Sequence, residues 1–322
     1  MGLTLPKAFI ELINFSINNC MYKMKILVNL IGEQPIPNLL PIRYFNPDRT
    51  ILLYTDRTEI IAKRMCSLVA GCEIKKTEAY DINSTLVILD SLNSSSAEIV
   101  INLTGGTKIM ALAAYQFALK NNHEFIYIQS EGNNSIMYYY KFVQNRYIAD
   151  KITLSELINL DFYLKAHLMN YKMEGFHKDS SGKLSSGGQF EKAIHDALFK
   201  DDFEVLAGIK PADVGNQIEI DLAVRLKGTN NVGIAEIKVG DYREEGPKKG
   251  LDQLVMAAER EYLGTYTSRF LITSRILSKK IKALAHKHRI HIIDGMRYNS
   301  SAKCLEKKSA EELILKLKQK LS

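Results

Sequence analysis

Between residues 25 and 142 short apolar runs alternate with helical patterns, and this alternation narrows the possible architecture more than any other feature. Runs at 25–31 (KILVNLI), 51–54 (ILLY), 98–103 (EIVINL), 124–129 (EFIYIQ) and 136–142 read as strands. Gly32 ends the first run, and Pro35 and Pro37 beyond it mark a loop. Thr58 caps a helix carrying Ile60, Ile61, Met65, Leu68 and Val69 on one face and stopping at Gly71. Residues 81–92 and 107–120 are helical as well, the latter ending at Asn121 and Asn122. Strands alternating with helices bury their apolar residues in a mostly parallel sheet covered on both faces.

The pattern restarts at Gln189, with a helix to Phe199, strands near Val205, at 218–226, 232–239, 270–273 and 290–294, and helices at 249–263, at 278–288 and at the lysine-rich end. A length of 322 residues suits two cores of this kind. The expected organisation is an N-terminal extension at 1–23, a Rossmann-like domain at 24–150, a helical connector and linker at 151–188, and a second α/β domain at 189–322. The linker is sharpest at 179–188 (DSSGKLSSGG), which has little to bury. No apolar run reaches the roughly 18 residues of a membrane span, so no membrane association is expected. The cysteines, Cys20, Cys66, Cys72 and Cys304, form no CxxC pair, and scattered thiols fit the cytoplasm. Residues 271–322 hold 13 Lys or Arg against four acids in a chain of net charge +7, which makes the C-terminal part the candidate face for a polyanion.

Asn102-Leu103-Thr104-Gly105-Gly106-Thr107-Lys108 stands where a strand turns into a helix. Two glycines let the backbone approach a ligand, and the free N–H groups of the next helix favour an anion. Ligands of open parallel sheets bind beyond the carboxyl ends of the strands. The loops carrying Gly32, Gln34 and Asn38, and Asp56, emerge at that same edge, so these residues with Thr104, Gly105, Gly106, Thr107 and Lys108 form one candidate pocket. A tight strand-to-helix turn alone accounts for the glycines equally well. There is no GxGxxG and no GxxxxGK[ST], which argues against an ordinary dehydrogenase or ATPase.

In the second domain IEIDL (218–222) and AEIK (235–238) flank a short hairpin. Alternation puts Glu219 and Asp221 on one face, and Glu236 and Lys238 on one face, with the intervening apolar residues facing the core. In the simplest register Asp221 meets Glu236 and Lys238, a hard-oxygen site suited to Mg²⁺ or Mn²⁺. Glu191 lies in the helix before it and Gln253 in the helix after it. No histidine is placed as the base of a serine hydrolase, and His286, His288 and His291, interleaved with Lys287 and Arg289, read as basic surface.

NLTGGTKIMALAAYQFA (102–118) and GEQPIPNLLPIRYFNPD (32–48) resemble the ligand loops of the CARF domain, a Rossmann-fold sensor of cyclic oligoadenylates. Asp221 with Glu236-Ile237-Lys238 resembles the PD-(D/E)xK nuclease motif, with Ile220 where that family often has proline. The whole chain is similar to the type III CRISPR ancillary nucleases of the Card/Can family. That resemblance implies a fold of N-terminal CARF domain plus restriction-endonuclease-like α/β domain. It also implies a cyclic tetra-adenylate activator, a DNA or RNA substrate and a homodimer sharing one ligand. Asp221, Glu236 and the Ile237 carbonyl would hold Mn²⁺ or Mg²⁺, Glu191 would be an outer or additional ligand, and Lys238 would orient the attacking water or stabilise the transition state. The alternative is a ligand-regulated nucleic-acid-binding module without cleavage.

Overall fold

The computed structural model describes residues 23–131, 133–212, 219–239, 245–259, 262–264 and 266–322, so the 1–23 extension lies almost wholly outside the described residues. Two large sheets and one two-stranded sheet carry the described residues. In the first, β1 (Met24–Leu30), β2 (Arg49–Tyr54), β3 (Cys72–Lys76) and β4 (Ala97–Asn102) run parallel with the start of β5 (Glu124–Glu131). β6 (Asn134–Val143) and β7 (Arg146–Leu154) then add antiparallel, giving the order β3-β2-β1-β4-β5-β6-β7. The strand order reverses direction at β1 and β4, the crevice where open sheets bind ligands.

Helices cover both faces: α1 (Ile36–Phe45), α2 (Glu59–Cys66), α3 (Ile82–Asp90) and α4 (Lys108–Asn121). α1 corrects the expected loop after β1. Pro35 is its N-cap and Pro37 lies in its first turn, where a missing N–H costs nothing. Pro41, inside the helix, leaves the Pro37 carbonyl without its helical donor, and the Asn102 side-chain amide donates to that oxygen at 3.1 Å. Ile60, assigned to the apolar face of α2, is exposed instead. β3 was hidden by its charged sequence, CEIKK, which suits a half-buried edge strand. Cys66 and Cys72, expected to be scattered thiols, are joined across the Gly71 turn with Cα atoms 5.3 Å apart.

The 151–188 segment is only briefly helical. β7 reaches Leu154, α5 spans Leu160–Leu168, and β8 (Tyr171–Met173) already belongs to the second sheet. The Ser/Gly stretch is an ordered turn rather than a free linker: Lys178 bridges Leu184, and the Asp179 carboxylate accepts from the Ser181 N–H, the Ser181 hydroxyl and the Lys183 N–H. Ser185 then caps α6 (Ser186–Phe199) by accepting from the Gly188 N–H at 3.0 Å.

The second sheet has the order β13-β12-β11-β10-β9-β8, with β9 at Phe203–Pro211, β10 at Ile220–Leu226, β11 at Val232–Lys238, β12 at Ser268–Thr273 and β13 at Ile290–Ile293. β11, β12 and β13 are parallel, whereas β8, β9 and β10 are antiparallel. The helix expected at 249–263 is α7, Glu245–Ala257. α8 (Lys279–Lys287), β14 and β15 (Tyr298–Asn299, Cys304–Leu305) and α9 (Lys307–Leu321) complete the chain.

The two sheets share a core. Leu27, Leu52 and Ile126 of the first belong to one apolar cluster with Ile209, Val232 and Leu271 of the second, joined through Leu160 and Leu164 of α5. Buried Asn230, in the β10–β11 turn, pins the seam: its carbonyl oxygen accepts from the Leu157 N–H (2.7 Å) and the Ile158 N–H (3.3 Å), and its amide donates to the Leu154 carbonyl (2.9 Å). Asn230→Ala strands all three groups, so unfolding by urea should show a loss of roughly 2–3 kcal/mol. An unchanged midpoint and slope would remove this residue from the seam.

Candidate ligand cleft and metal-binding carboxylate site

At the carboxyl ends of β1 and β4, buried Asn29 and Asn102 break otherwise apolar strands. The Asn102 amide donates to the side-chain oxygens of Asn29 (3.0 Å) and Asn38 (3.1 Å). Its own oxygen accepts from the Thr104 N–H (3.0 Å) and hydroxyl (2.6 Å), and the Thr104 hydroxyl accepts from the Ile128 N–H. One side chain thus ties the first loop to the glycine turn. Gly105 packs so tightly that a β-carbon there would collide with the Leu30 carbonyl oxygen, and Gly106 has φ +69°. The glycines therefore serve loop packing first.

Together these loops wall a cleft of about 690 Å³. Gly32, Gln34, Asn38, Asp56, Thr104, Gly105, Gly106 and Thr107 all line it, joined by residues 77–80 and by Tyr266 from the second domain. Lys108 does not: it is the first residue of α4, exposed, and outside the lining. Thr107 instead turns inward, donating to the Ala79 carbonyl and capping Met110 N–H. Among the described lining residues the single cation, Arg57, is paired with Glu33, while Asp56 pairs with Lys76 at 2.7 Å. The backbone N–H groups of the glycine turn are then the donors such a cleft offers an anion.

In the second domain the register pairs Leu222 with Ala235, which sets Asp221 beside the Glu236–Ile237 segment. Both acids are covered, Asp221 at 4% and Glu236 at 2% exposure. Asp221 Oδ2 accepts from the Ile237 N–H at 2.6 Å, and Lys238 donates to Glu236. Glu191 of α6 approaches from the other side. Gly250 of α7 lies so close that a β-carbon there would sit 3.2 Å from Glu236 and 3.4 Å from Lys238. Gln253 also lies in α7, with its Oε1 buried and unpartnered. Glu219 sits at the rim, 3.2 Å from Lys210.

The residue that sequence reasoning missed is His177. It precedes the Ser/Gly turn, which folds it back onto α6. Its Nδ1 lies 2.7 Å from Glu191 Oε1, its N–H donates to Glu191 Oε2 at 3.1 Å, and its Nε2 lies 3.6 Å from Glu219. His177, Glu191 and Asp221 each offer a ligand atom within 4.8 Å of the others. Two carboxylates and an imidazole form a donor set that fits a divalent ion such as Mn²⁺. Of the expected ligands, Asp221 and Glu191 join this trio, whereas Glu236 faces Lys238. Burial pushes the Asp221 carboxyl well above the usual range, helped by Glu236 and Glu191, and burial likewise raises Glu236. The Glu191 hydrogen bond raises His177 to about 9.

Residues 26–157 match the model of the Card1 CARF domain. No curated protein sequence matches the chain. Among solved structures, Can2 from Sulfobacillus thermosulfidooxidans in complex with cyclic tetra-adenylate is similar over 92% of this chain and 99% of its own, at 17% identity and a TM-score of 0.69. Protein VC1899 from Vibrio cholerae is similar over 92% and 97%, at 12% identity and TM-score 0.71. A type III CRISPR defence DNA nuclease activated by cyclic oligoadenylate shares the fold over 79% of this chain and 46% of its own, at 14% identity and TM-score 0.56. The fold is thus a mixed α/β one built on two large sheets, the first lying in the region that matches the Card1 CARF domain, and Can2 shares it. No described helix is long and apolar enough to cross a membrane.

Proposed function

We propose that the chain is a cytoplasmic, cyclic oligoadenylate-activated, metal-dependent nuclease of type III CRISPR defence. The observation that carries this reading is the pairing, in one chain, of a CARF-matching cleft with a buried Asp–Glu–Lys constellation of PD-(D/E)xK type. Can2 was captured with cyclic tetra-adenylate and the defence nuclease is activated by a cyclic oligoadenylate, which makes that the ligand class to test.

Asp221, Glu191 and His177 would hold Mn²⁺ or Mg²⁺, with Glu236 and the Ile237 carbonyl adjoining. Once bound there, the ion would supply Lewis-acid charge at the scissile phosphate of DNA or RNA. Lys238, held by Glu236, keeps an ammonium ready for charge developing on the phosphate. The basic C-terminal region suits a polyanionic substrate.

A symmetric cyclic ligand is most simply held on the two-fold axis of a homodimer. Sedimentation should therefore show a dimer before ligand, one cyclic tetra-adenylate per dimer, and a more compact particle in scattering afterwards. A monomer binding one ligand with no change in shape rules out that arrangement. The functional test is incubation of supercoiled DNA and single-stranded RNA with Mn²⁺ or EDTA, with and without cyclic tetra-adenylate. Product that needs both metal and ligand supports the reading. Nucleic acid retained in a gel but never cut would make the second domain a binding module.

A further inference from the structure

The cleft of the first domain is completed by a residue of the second. Tyr266 stands just before β12, yet it lines the cleft beside the glycine turn and is 51% exposed there. It has no hydrogen-bond or ring partner among the described residues, and it also lines a second, smaller cavity with Tyr163, Asn230 and Ser268. Its neighbours are firmly held. Tyr163 of α5 donates to the Leu263 carbonyl or shares its hydroxyl with Thr267 at 2.7 Å, and Thr267 donates to Leu263 as well. Gly264, at φ +75°, presses against Gln34 of the first cleft loop and against His167.

We infer that Tyr266 is a ligand-reading residue that stacks on a purine base of the nucleotide held in the cleft. Three observations meet on it. The lining has no unpaired cation among the described residues, so affinity must come from backbone N–H groups and from contacts to the bases. Tyr266 and Tyr80 are the only aromatic side chains among the described lining residues, and only Tyr266 belongs to the second domain. Base–aromatic stacking needs a π-face that is open to the cleft and tolerates any ring set against it. Tyr266 also has a position from which binding is felt at a distance. Near it the Leu263 N–H donates to the carbonyl of Ala257, the last residue of α7, at 3.2 Å, and Gly250 of that helix packs on Glu236 and Lys238. A base on Tyr266 would thus bear, through the Leu263–Ala257 hydrogen bond, on the helix that packs on the carboxylate site.

This inference rests on the proposed ligand class, and the experiment separates the two. Calorimetry on the full chain uses cyclic tetra-adenylate with wild type, Tyr266→Ala and Tyr266→Phe, each checked for an unchanged melting profile. Wild type and Tyr266→Phe should bind alike, and Tyr266→Ala roughly tenfold or more weakly, the loss expected for one stacked base. Hydrogen exchange should slow over residues 262–267 when wild type binds, and not in Tyr266→Ala. If wild type itself binds nothing, the ligand class is wrong. If wild type and Tyr266→Ala bind equally, or if Tyr266→Phe is as weak as Tyr266→Ala, the stacking assignment is overturned.

Discussion

Glu236→Gln will leave a folded protein with cleavage reduced by about 10³-fold or to background, the scale of losing a preorganised charge in a catalytic site. Glu236 is buried between Lys238 and the carboxylates of Asp221 and Glu191, and its pKa is raised because burial outweighs the attraction of Lys238. A neutral amide of the same shape removes that penalty. Lys238 keeps the Asp221 and Glu191 carboxyl groups as neighbours. Metal-free Glu236→Gln should therefore be more stable than metal-free wild type at neutral pH, by about 1 kcal/mol. Loss of activity together with gain of stability separates a functional carboxylate from a structural one. Cutting at the wild-type rate, at equal purity and Mn²⁺, would falsify the assignment.

Both halves of the molecule were legible where periodicity is strong. The apolar strands and amphipathic helices marked two α/β units, and the alternation in 218–222 and 235–238 placed Asp221 beside Glu236 and Lys238, as the register has it. Other features rest on contacts between distant segments. α1 was obscured because its prolines read as breakers, and only Asn102, 65 residues away, satisfies the carbonyl that Pro41 leaves open. Asn29 and Asn102 carried a signal in retrospect: an asparagine inside an apolar strand must find a buried partner. His177 carried less. A histidine ahead of DSSGKLSSGG looks like linker surface until the turn closes and brings it to Glu191. Lys108, read as a phosphate partner from its place at a helix start, lies outside the cleft lining of this single chain.

Thermal stabilisation by Mn²⁺ should grow as pH rises from 6 to 9, and His177→Ala should weaken Mn²⁺ binding by roughly 10- to 100-fold, the cost typical of groups that hold or orient a metal ligand. The sign follows from the site's protons. Asp221 and Glu236 have raised pKa values in the folded chain, so above the unfolded carboxylate range the native state binds more protons than the unfolded one. Stability of the metal-free protein from these groups therefore falls as pH rises through that window. His177 runs the other way in form but to the same end. Raised to about 9 by Glu191, it contributes stability that is complete below about 6.5 and is lost as pH climbs through about 9. A divalent ion needs the carboxylates ionised and the imidazole neutral, so it competes with protons at every one of these groups. Raising the pH removes the competitor and removes the protein's own compensation, and the ion then supplies the missing positive charge. Melting curves of wild type and His177→Ala at several pH values, with Mn²⁺ or EDTA, read both effects. A Mn²⁺ shift independent of pH, or one of equal size in the two proteins, would place the metal away from His177 and Asp221.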